Sequence, residues 1–315
     1  MTENKEIKEY NINGKLIIGV DHGYGNIKTA HHVFRTGIDG YNQEPNVNEK
    51  YMVYKNKYYI IGESHMTFQG EKITTEEYYL LTLVAIANEL YTRNKTEADI
   101  ILAVGVPIAW YKSQRNSFRE YMLQNEIVEF EYRFINYKVK ICDVYVYPQS
   151  MAATNTIDVK TGQHMIADIG NGTVNIMQSI NGAPIEKSIS TLLMGVSTCV
   201  DDIVNALSEK FTGAVDENRI EMLLRNGCKG DNLIEATTKD IATKYATEII
   251  RKMEKSGYRK GLMKLHVIGG GACILENFSE LSKDETVDFV TDLRINAWGY
   301  EFLASVQYAK NRKRA

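Results

Sequence analysis

The chain has 315 residues, enough for two domains, and its 44% hydrophobic and 24% charged residues are ordinary for a globular protein. A formal charge of −3 gives no global pull toward nucleic acid or anionic membranes, so direct DNA binding is not expected. Four scattered cysteines without a CxxC spacing, six histidines, a polar N-terminus (Thr2 to Glu6) and no long apolar run argue against structural zinc, a disulfide framework, a signal peptide or a membrane span. A soluble cytoplasmic protein with free thiols is expected.

Residues 1–14 read as a loosely held polar lead into a first strand, Leu16–Val20. The glycine-bearing turn Asp21-His22-Gly23-Tyr24-Gly25-Asn26-Ile27-Lys28 follows, and 27–34 completes a hairpin. A second hairpin pairs Tyr51–Tyr54 with Tyr58–Ile61 across Lys55-Asn56-Lys57. Apolar spacing through Leu80, Leu83, Val84, Ala87 and Leu90 predicts a helix over 76–91. The run from Ile100 to Val104 reads as a strand buried on both faces, ending in Gly105-Val106-Pro107-Ile108. A helix at 111–123 and an alternating stretch from Tyr132 to Tyr147 complete the first α/β half, and residues 154–164 form a polar link.

The second half opens as the first does, with Met165–Ala167 and the turn Asp168-Ile169-Gly170-Asn171-Gly172-Thr173. The run 176–180, the turn Asn181-Gly182 and the run 185–189 extend its sheet, since Asn-Gly between such runs is a strong hairpin signal. Gly195 precedes a helix at 197–210. A long amphipathic helix spans 236–254, with Ala242, Tyr245, Ala246, Ile249, Ile250 and Met253 on one face. Leu265–Ile268 runs into Gly269-Gly270-Gly271-Ala272, and a last helix starts at Asn296 and ends in a basic tail.

Glycines in such turns reach left-handed backbone angles and let main-chain N–H groups approach an anion. Two such hairpins, each preceded by a strand that ends in Asp, form a clamp for a nucleoside triphosphate and its magnesium. The pair resembles phosphate loops 1 and 2 of the actin, sugar-kinase and heat-shock-chaperone ATPase superfamily, and more closely the ParM-type actin-like proteins that segregate plasmids.

That resemblance implies a two-domain α/β fold of duplicated ribonuclease-H-like halves with nucleotide in the interdomain cleft. Domain I would be 1–162 plus 296–315, and domain II 163–295. It implies ATP or GTP with Mg2+, held through water by Asp21 and Asp168, with Asp168 also catalytic. Lys28 would close the first loop. The nucleotide-binding positions would be Gly23, Tyr24, Gly25, Asn26 and Lys28, then Gly170, Asn171, Gly172, Thr173 and Gly195, with Gly269, Gly270, Gly271 and Ala272 as adenosine loop. The segment Val146 to Ala153 resembles a connecting helix start, where Gln149 would orient the attacking water. A neutral amide positions water without deprotonating it, which suits slow hydrolysis.

The chain departs from the family pattern at two positions. Tyr24 stands where relatives place Ser or Thr, so phosphate contact should fall to backbone N–H groups. Asn175 stands where an Asp is usual. Bland readings compete elsewhere: Gln149 as a helix cap, and Lys244 and Glu248 as a solvated helix face rather than ribose or adenine contacts. His22, His31, His32 and His266 lack ligand spacing and read as surface or core residues. The tail of Lys310, Arg312, Lys313 and Arg314 reads as a solvated helix end complementing the dipole.

The implied function is a slow ATPase that polymerises head to tail, with a separate DNA-binding adaptor carrying the cargo and no direct nucleic-acid or membrane contact. The alternatives are a small-molecule kinase or a non-polymerising switch on the same fold. A kinase needs a second acidic constellation, and none stands near these motifs.

Overall fold

The computed structural model describes residues 8–46, 50–62, 75–210 and 215–312. The chain divides into two compact units, Met1–Thr156 with Arg294–Ala315, and Ile157–Leu293.

The first unit begins with β1 (Asn11–Ile12) and β2 (Lys15–His22), and continues through β3 (Asn26–Lys28), β4 (Val33–Arg35), β5 (Ile38–Tyr41), β6 (Tyr51–Tyr54) and β7 (Lys57–Ile61). Then come α1 (Glu77–Thr92), β8 (Glu97–Val106), α2 (Tyr111–Met122), β9 (Ile127–Tyr132) and β10 (Ile135–Pro148). Strands β2, β8 and β10 are parallel neighbours at the centre of a ten-stranded sheet, and the flanking strands pair antiparallel.

The period-two rule explains the burial of the central strands. Leu16, Ile18, Val20, Ile100, Leu102 and Val104 face a core shared with α1 and α2. Ile17, Ile101 and Ala103 face the opposite way, into a cluster with Tyr147, Ala152, Tyr300 and Ala304. Each fully buried Ile or Leu stabilises the fold by about 1.5–3 kcal/mol. The helix α1 is buried almost all round rather than along one stripe, which accounts for its near-continuous apolar sequence.

The second unit holds β11 (Gln163–Ile169), β12 (Val174–Ile180), β13 (Ala183–Pro184), β14 (Ser190–Leu192), α3 (Val196–Ser208), α4 (Glu217–Asn226) and α5 (Leu233–Lys255). It ends with β15 (Lys264–Ile268), α6 (Ala272–Phe278) and β16 (Val287–Val290), after which α7 (Ile295–Arg312) returns to the first unit. Its six-stranded sheet has β11, β15 and β16 parallel, with β12 antiparallel to β11.

Several sequence expectations change. The strand expected over 27–34 is broken by a turn at 29–32, because Glu89 of α1 takes up Thr29 and His31. The alternating stretch from Tyr132 is the second arm of a hairpin whose turn, Arg133-Phe134, has φ of 52° and 62°. Neither residue announces such a turn. The expected connecting helix after Pro148 is a single 3₁₀ turn at Ala152–Asn155, since Ser150 takes φ of 64° and ends any helical run there. The expected strand over 185–189 is a 3₁₀ turn at Glu186–Ser188 between two short strands.

The helix α5 starts at Leu233, three residues before the expected 236, because the Asn232 side chain caps it, accepting from the Glu235 N–H at 3.1 Å while its amide donates to the Glu235 carboxylate at 2.7 Å. Among the described residues, no helix is long and apolar enough to cross a membrane. The N-terminal residues 1–7 and the tail residues Lys313 and Arg314 lie outside the described residues.

Candidate functional site

The first loop lies where the central parallel strands of the first sheet end. There β2 delivers Asp21, β8 delivers Val106, and Gln149 follows β10. The carboxyl ends of parallel strands are the general location of ligand sites in α/β sheets. Gly23, Tyr24 and Gly25 make the turn between β2 and β3, closed by the Gly23 N–H donating to the Asn26 carbonyl at 3.1 Å. Asp21 faces Lys28 across the antiparallel pair, and Lys28 Nζ donates to Asp21 Oδ2 at 3.1 Å. A Cβ on Gly23 would stand 2.5 Å from that ammonium.

Gln149 Nε2 donates to Asp21 Oδ1 at 3.0 Å, and the Gln149 N–H donates to the Val106 carbonyl at 2.9 Å. So Gln149 caps no helix; it is tied to the carboxylate. Asp21 is only 2% exposed. Tyr24 is buried as well, and burial pushes its phenol up to about 12, so it is neutral at ordinary pH.

A buried polar cluster fixes the neighbouring turn. Burial opposes the charge on Glu89, but hydrogen bonds from His31, Thr29 and Arg93 outweigh it and hold the carboxyl at about 2. The Trp298 indole N–H donates to the Ala30 carbonyl at 3.0 Å, tying the same turn to α7.

The second loop is held differently. The Asp168–Asn175 and Ile169–Val174 pairs close the hairpin, and the Gly170 N–H donates to the Thr173 carbonyl at 2.8 Å. The first N–H groups of α3 are turned onto this loop: Val196 donates to the Gly170 carbonyl at 3.0 Å and Ser197 to the Asn171 carbonyl at 2.9 Å. Gly195 makes that approach possible, since a Cβ there would lie 2.1 Å from the Asn171 carbonyl oxygen. Asn175 accepts from the Thr191 hydroxyl at 2.7 Å, so its amide serves the sheet edge.

The glycine triplet after β15 divides by cause. Gly269 has φ of +87°, and a Cβ on it would lie 2.6 Å from Asp168 Oδ1. Gly271 packs on Ile169 and Val196, where a Cβ would meet Ile169 Cγ2 at 2.3 Å. Gly270 meets only the flexible Leu293 side chain at 3.3 Å. Packing within the second unit therefore demands two of the three glycines, where the sequence reading allowed a turn to demand one. Ala272 begins α6 and is buried.

Lys244 is exposed and pairs with Asp240 one turn back at 2.7 Å, and Glu248 pairs with Arg251 at 2.9 Å. These pairs are those of a solvated helix face. His22 is buried against Thr82 at 2.7 Å, and His266 stacks on His164 with its pKa lowered by burial to about 4.

The residues fit a hydrated magnesium ion. Among the described residues no group of three His, Cys, Asp or Glu side chains could hold a metal directly. Magnesium keeps several waters and uses one or two carboxylates together with substrate phosphates. Asp21 in the first unit and Asp168 in the second each stand at the end of a buried strand beside a glycine turn, and each by itself is a carboxylate of that kind; bound magnesium would neutralise phosphate charge.

Sequence reasoning missed Asn296, Tyr300 and Glu301, which support the first loop from α7. Ser150 donates its N–H to Asn296 Oδ1 at 3.0 Å, and Gly19 donates its N–H to Glu301 Oε1 at 2.9 Å. The only local sign was glycine inside two apolar strands, Gly19 and Gly105, where another element comes close.

This is the architecture of the actin-like class, and comparison with known proteins agrees. Residues 19–151 match the family model "Actin like proteins N terminal domain". No curated protein matches the chain. Among solved structures, the chain is similar to an archaeal actin homologue at TM-score 0.72 and 16% identity, over 92% of this chain and 99% of that one. It is similar to the ParM of a 15-stranded filament from Clostridium botulinum at TM-score 0.72 and 19% identity, over 93% and 99%. A Bacillus thuringiensis ParM with ATP gives TM-score 0.67 and 13% identity, over 95% and 100%. The chain has the two-domain actin-like fold. Within that class its resemblance is to ParM-type actin-like proteins.

Proposed function

We propose that this protein binds ATP, or GTP, with Mg2+ through both glycine loops, hydrolyses it slowly, and assembles head to tail into filaments. The observation that carries the reading is the repetition of one device at the same place in two sheets. Asp21 and Asp168, 2% and 6% exposed, each end the first long strand of a sheet and lead into a glycine hairpin. Backbone turns of this kind suit phosphate, and carboxylates beside them suit a hydrated cation.

In this reading Gly23, Gly25 and Asn26 are the phosphate-binding positions of the first loop, and Gly170, Asn171, Gly172 and Thr173 those of the second. Lys28 shares the charge of Asp21 until a cation arrives. Gln149, tied to Asp21, would orient the attacking water. Its amide is a poor base, so turnover is slow and times the life of the polymer. Gly269, Gly270, Gly271 and Ala272 would receive the adenosine, and at Gly270 protein packing alone does not exclude a side chain. A filament structure and an ATP-bound structure among relatives of the same fold support the reading. Plasmid DNA as cargo, joined through a separate adaptor in the cytoplasm, follows from the resemblance to ParM-type proteins and from the formal charge of −3.

The test is right-angle light scattering of the purified chain on adding ATP and Mg2+. A rise that decays with phosphate release is expected, and Gln149→Ala should keep the rise and slow the decay. A flat trace with nucleotide bound would overturn polymerisation and favour a kinase or a monomeric switch.

A further inference from the structure

The second face of the first sheet carries a feature that no loop motif explains. Helix α7 lies over β2 and β8 with Tyr300 fully buried. Its ring stacks on Tyr147, centroids 6.2 Å apart and planes 15° from parallel. Its hydroxyl fills the place of a missing side chain, since a Cβ on Gly105 would stand 2.0 Å from that oxygen. The same hydroxyl donates toward Asp21 Oδ1 at 3.5 Å, where Gln149 Nε2 also arrives. On the neighbouring turn, Asn296 holds the Ser150 N–H next to Gln149, and Glu301 holds the Gly19 N–H two residues before Asp21.

Three α7 residues thus brace the strand that carries Asp21 and the turn that carries Gln149. A phenylalanine would satisfy the ring stacking as well as tyrosine does. A hydroxyl in a buried apolar cluster costs desolvation unless it meets a polar partner, and the partner here is the carboxylate.

We propose that Tyr300 is a positioning residue of the nucleotide site, its hydroxyl joining the Gln149 amide in holding Oδ1 of the Asp21 carboxylate while Lys28 holds Oδ2. Without the hydroxyl, Oδ1 loses one of these donors and the carboxylate is held less firmly against the pull of the Lys28 ammonium. A carboxylate turned to Lys28 is a weaker acceptor for water on the cation. The inference rests on the nucleotide reading proposed above, and it adds the C-terminal helix to that site.

The experiment titrates Mg2+ against full-length wild type, Tyr300→Phe and Tyr147→Phe, reading the binding of a fluorescent ATP analogue, with parallel binding in EDTA and thermal melts. Tyr147 is the control, because its hydroxyl donates to Gln307 at 2.9 Å, away from Asp21. Tyr300→Phe is expected to need about fivefold more Mg2+ for half-maximal binding, the effect of an ordinary hydrogen bond rather than a short one to a charged group, as its 3.5 Å length implies. Its binding in EDTA and its melt should match wild type, and Tyr147→Phe should match throughout. Unchanged Mg2+ dependence in Tyr300→Phe overturns the proposal, as does an equal loss with and without Mg2+. No binding by wild type itself would instead refute the nucleotide reading beneath it.

Discussion

The two glycine loops are alike in sequence and unlike in construction. The first is held by side chains that arrive from far along the chain: Lys28 from the facing strand, Gln149 from after β10, Tyr300 from α7. The second is held by main chain packed on main chain. The start of α3 donates to its carbonyls, and Gly195, Gly269 and Gly271 are the places where a Cβ would obstruct the approach. The first loop should therefore respond to single functional groups. The second should tolerate side-chain changes and fail when a methyl group is added.

The largest expected effect follows from that contrast. Gly195→Ala places a Cβ 2.1 Å from one backbone atom and 2.4 Å from another, neither at the end of a flexible side chain. Overpacking of this kind costs about 3 kcal/mol. For a unit of this size that is a fall in Tm of about 10 °C, readable by calorimetry. A Tm within a degree or two of wild type would mean that α3 does not hold the second loop.

A smaller effect, confined to the first unit, comes from Glu301. Its carboxyl accepts from Gly19 and is fully buried, and that burial pushes its pKa from 4.5 up to about 8. Glu89 and Arg93 of α1, and Glu9 and Tyr10 ahead of β1, are the charged and titratable groups that act on it. The folded chain holds this proton more tightly than the unfolded chain. Its stabilising contribution is therefore full below about pH 4.5 and lost as pH rises to about 8. Denaturant unfolding across that window should show wild type losing stability relative to Glu301→Gln, with a slope of at most about 1.4 kcal/mol per pH unit. Parallel curves would show that Glu301 does not hold a proton in the fold.

The contrast between the loops also explains what the sequence made legible. Alternation and apolar runs exposed the strands that lead into each loop, and Asp, Gly and Asn marked the turns themselves, because these are local consequences of backbone geometry. Gly195 and the glycine triplet were visible for the same reason, although packing accounts for more of the triplet than a bound base does. The turn Arg133-Phe134, in left-handed backbone, was hard to see, since the usual Asn-Gly signal is missing there, whereas the polar Lys55-Asn56 marked the β6–β7 turn. The short strand β16 and the helix α4 lack long periodic patterns, though Asp216 caps α4 by accepting from Asn218.

Side-chain supports of the first loop were invisible for a different reason. Tyr300 and Asn296 lie far from Asp21 and Ser150 in sequence, and nothing local in α7 distinguishes a brace from a core residue. Gly105 is the one trace left in the strand beneath. At Lys244 the sequence left two readings, a nucleotide contact and a solvated helix face, and its pairing with Asp240 one turn back is what the second expects.

The central claim of the proposal is that both loops serve nucleotide binding. Isothermal titration of ATP in Mg2+ into wild type, Asp21→Asn and Asp168→Asn tests it most directly. The account predicts one site per chain in wild type and a loss of at least about tenfold in affinity for each variant, as expected when a carboxylate serving a cation is neutralised. Wild-type affinity in either variant would contradict it, because that loop would then be a turn of the sheet and no part of the clamp.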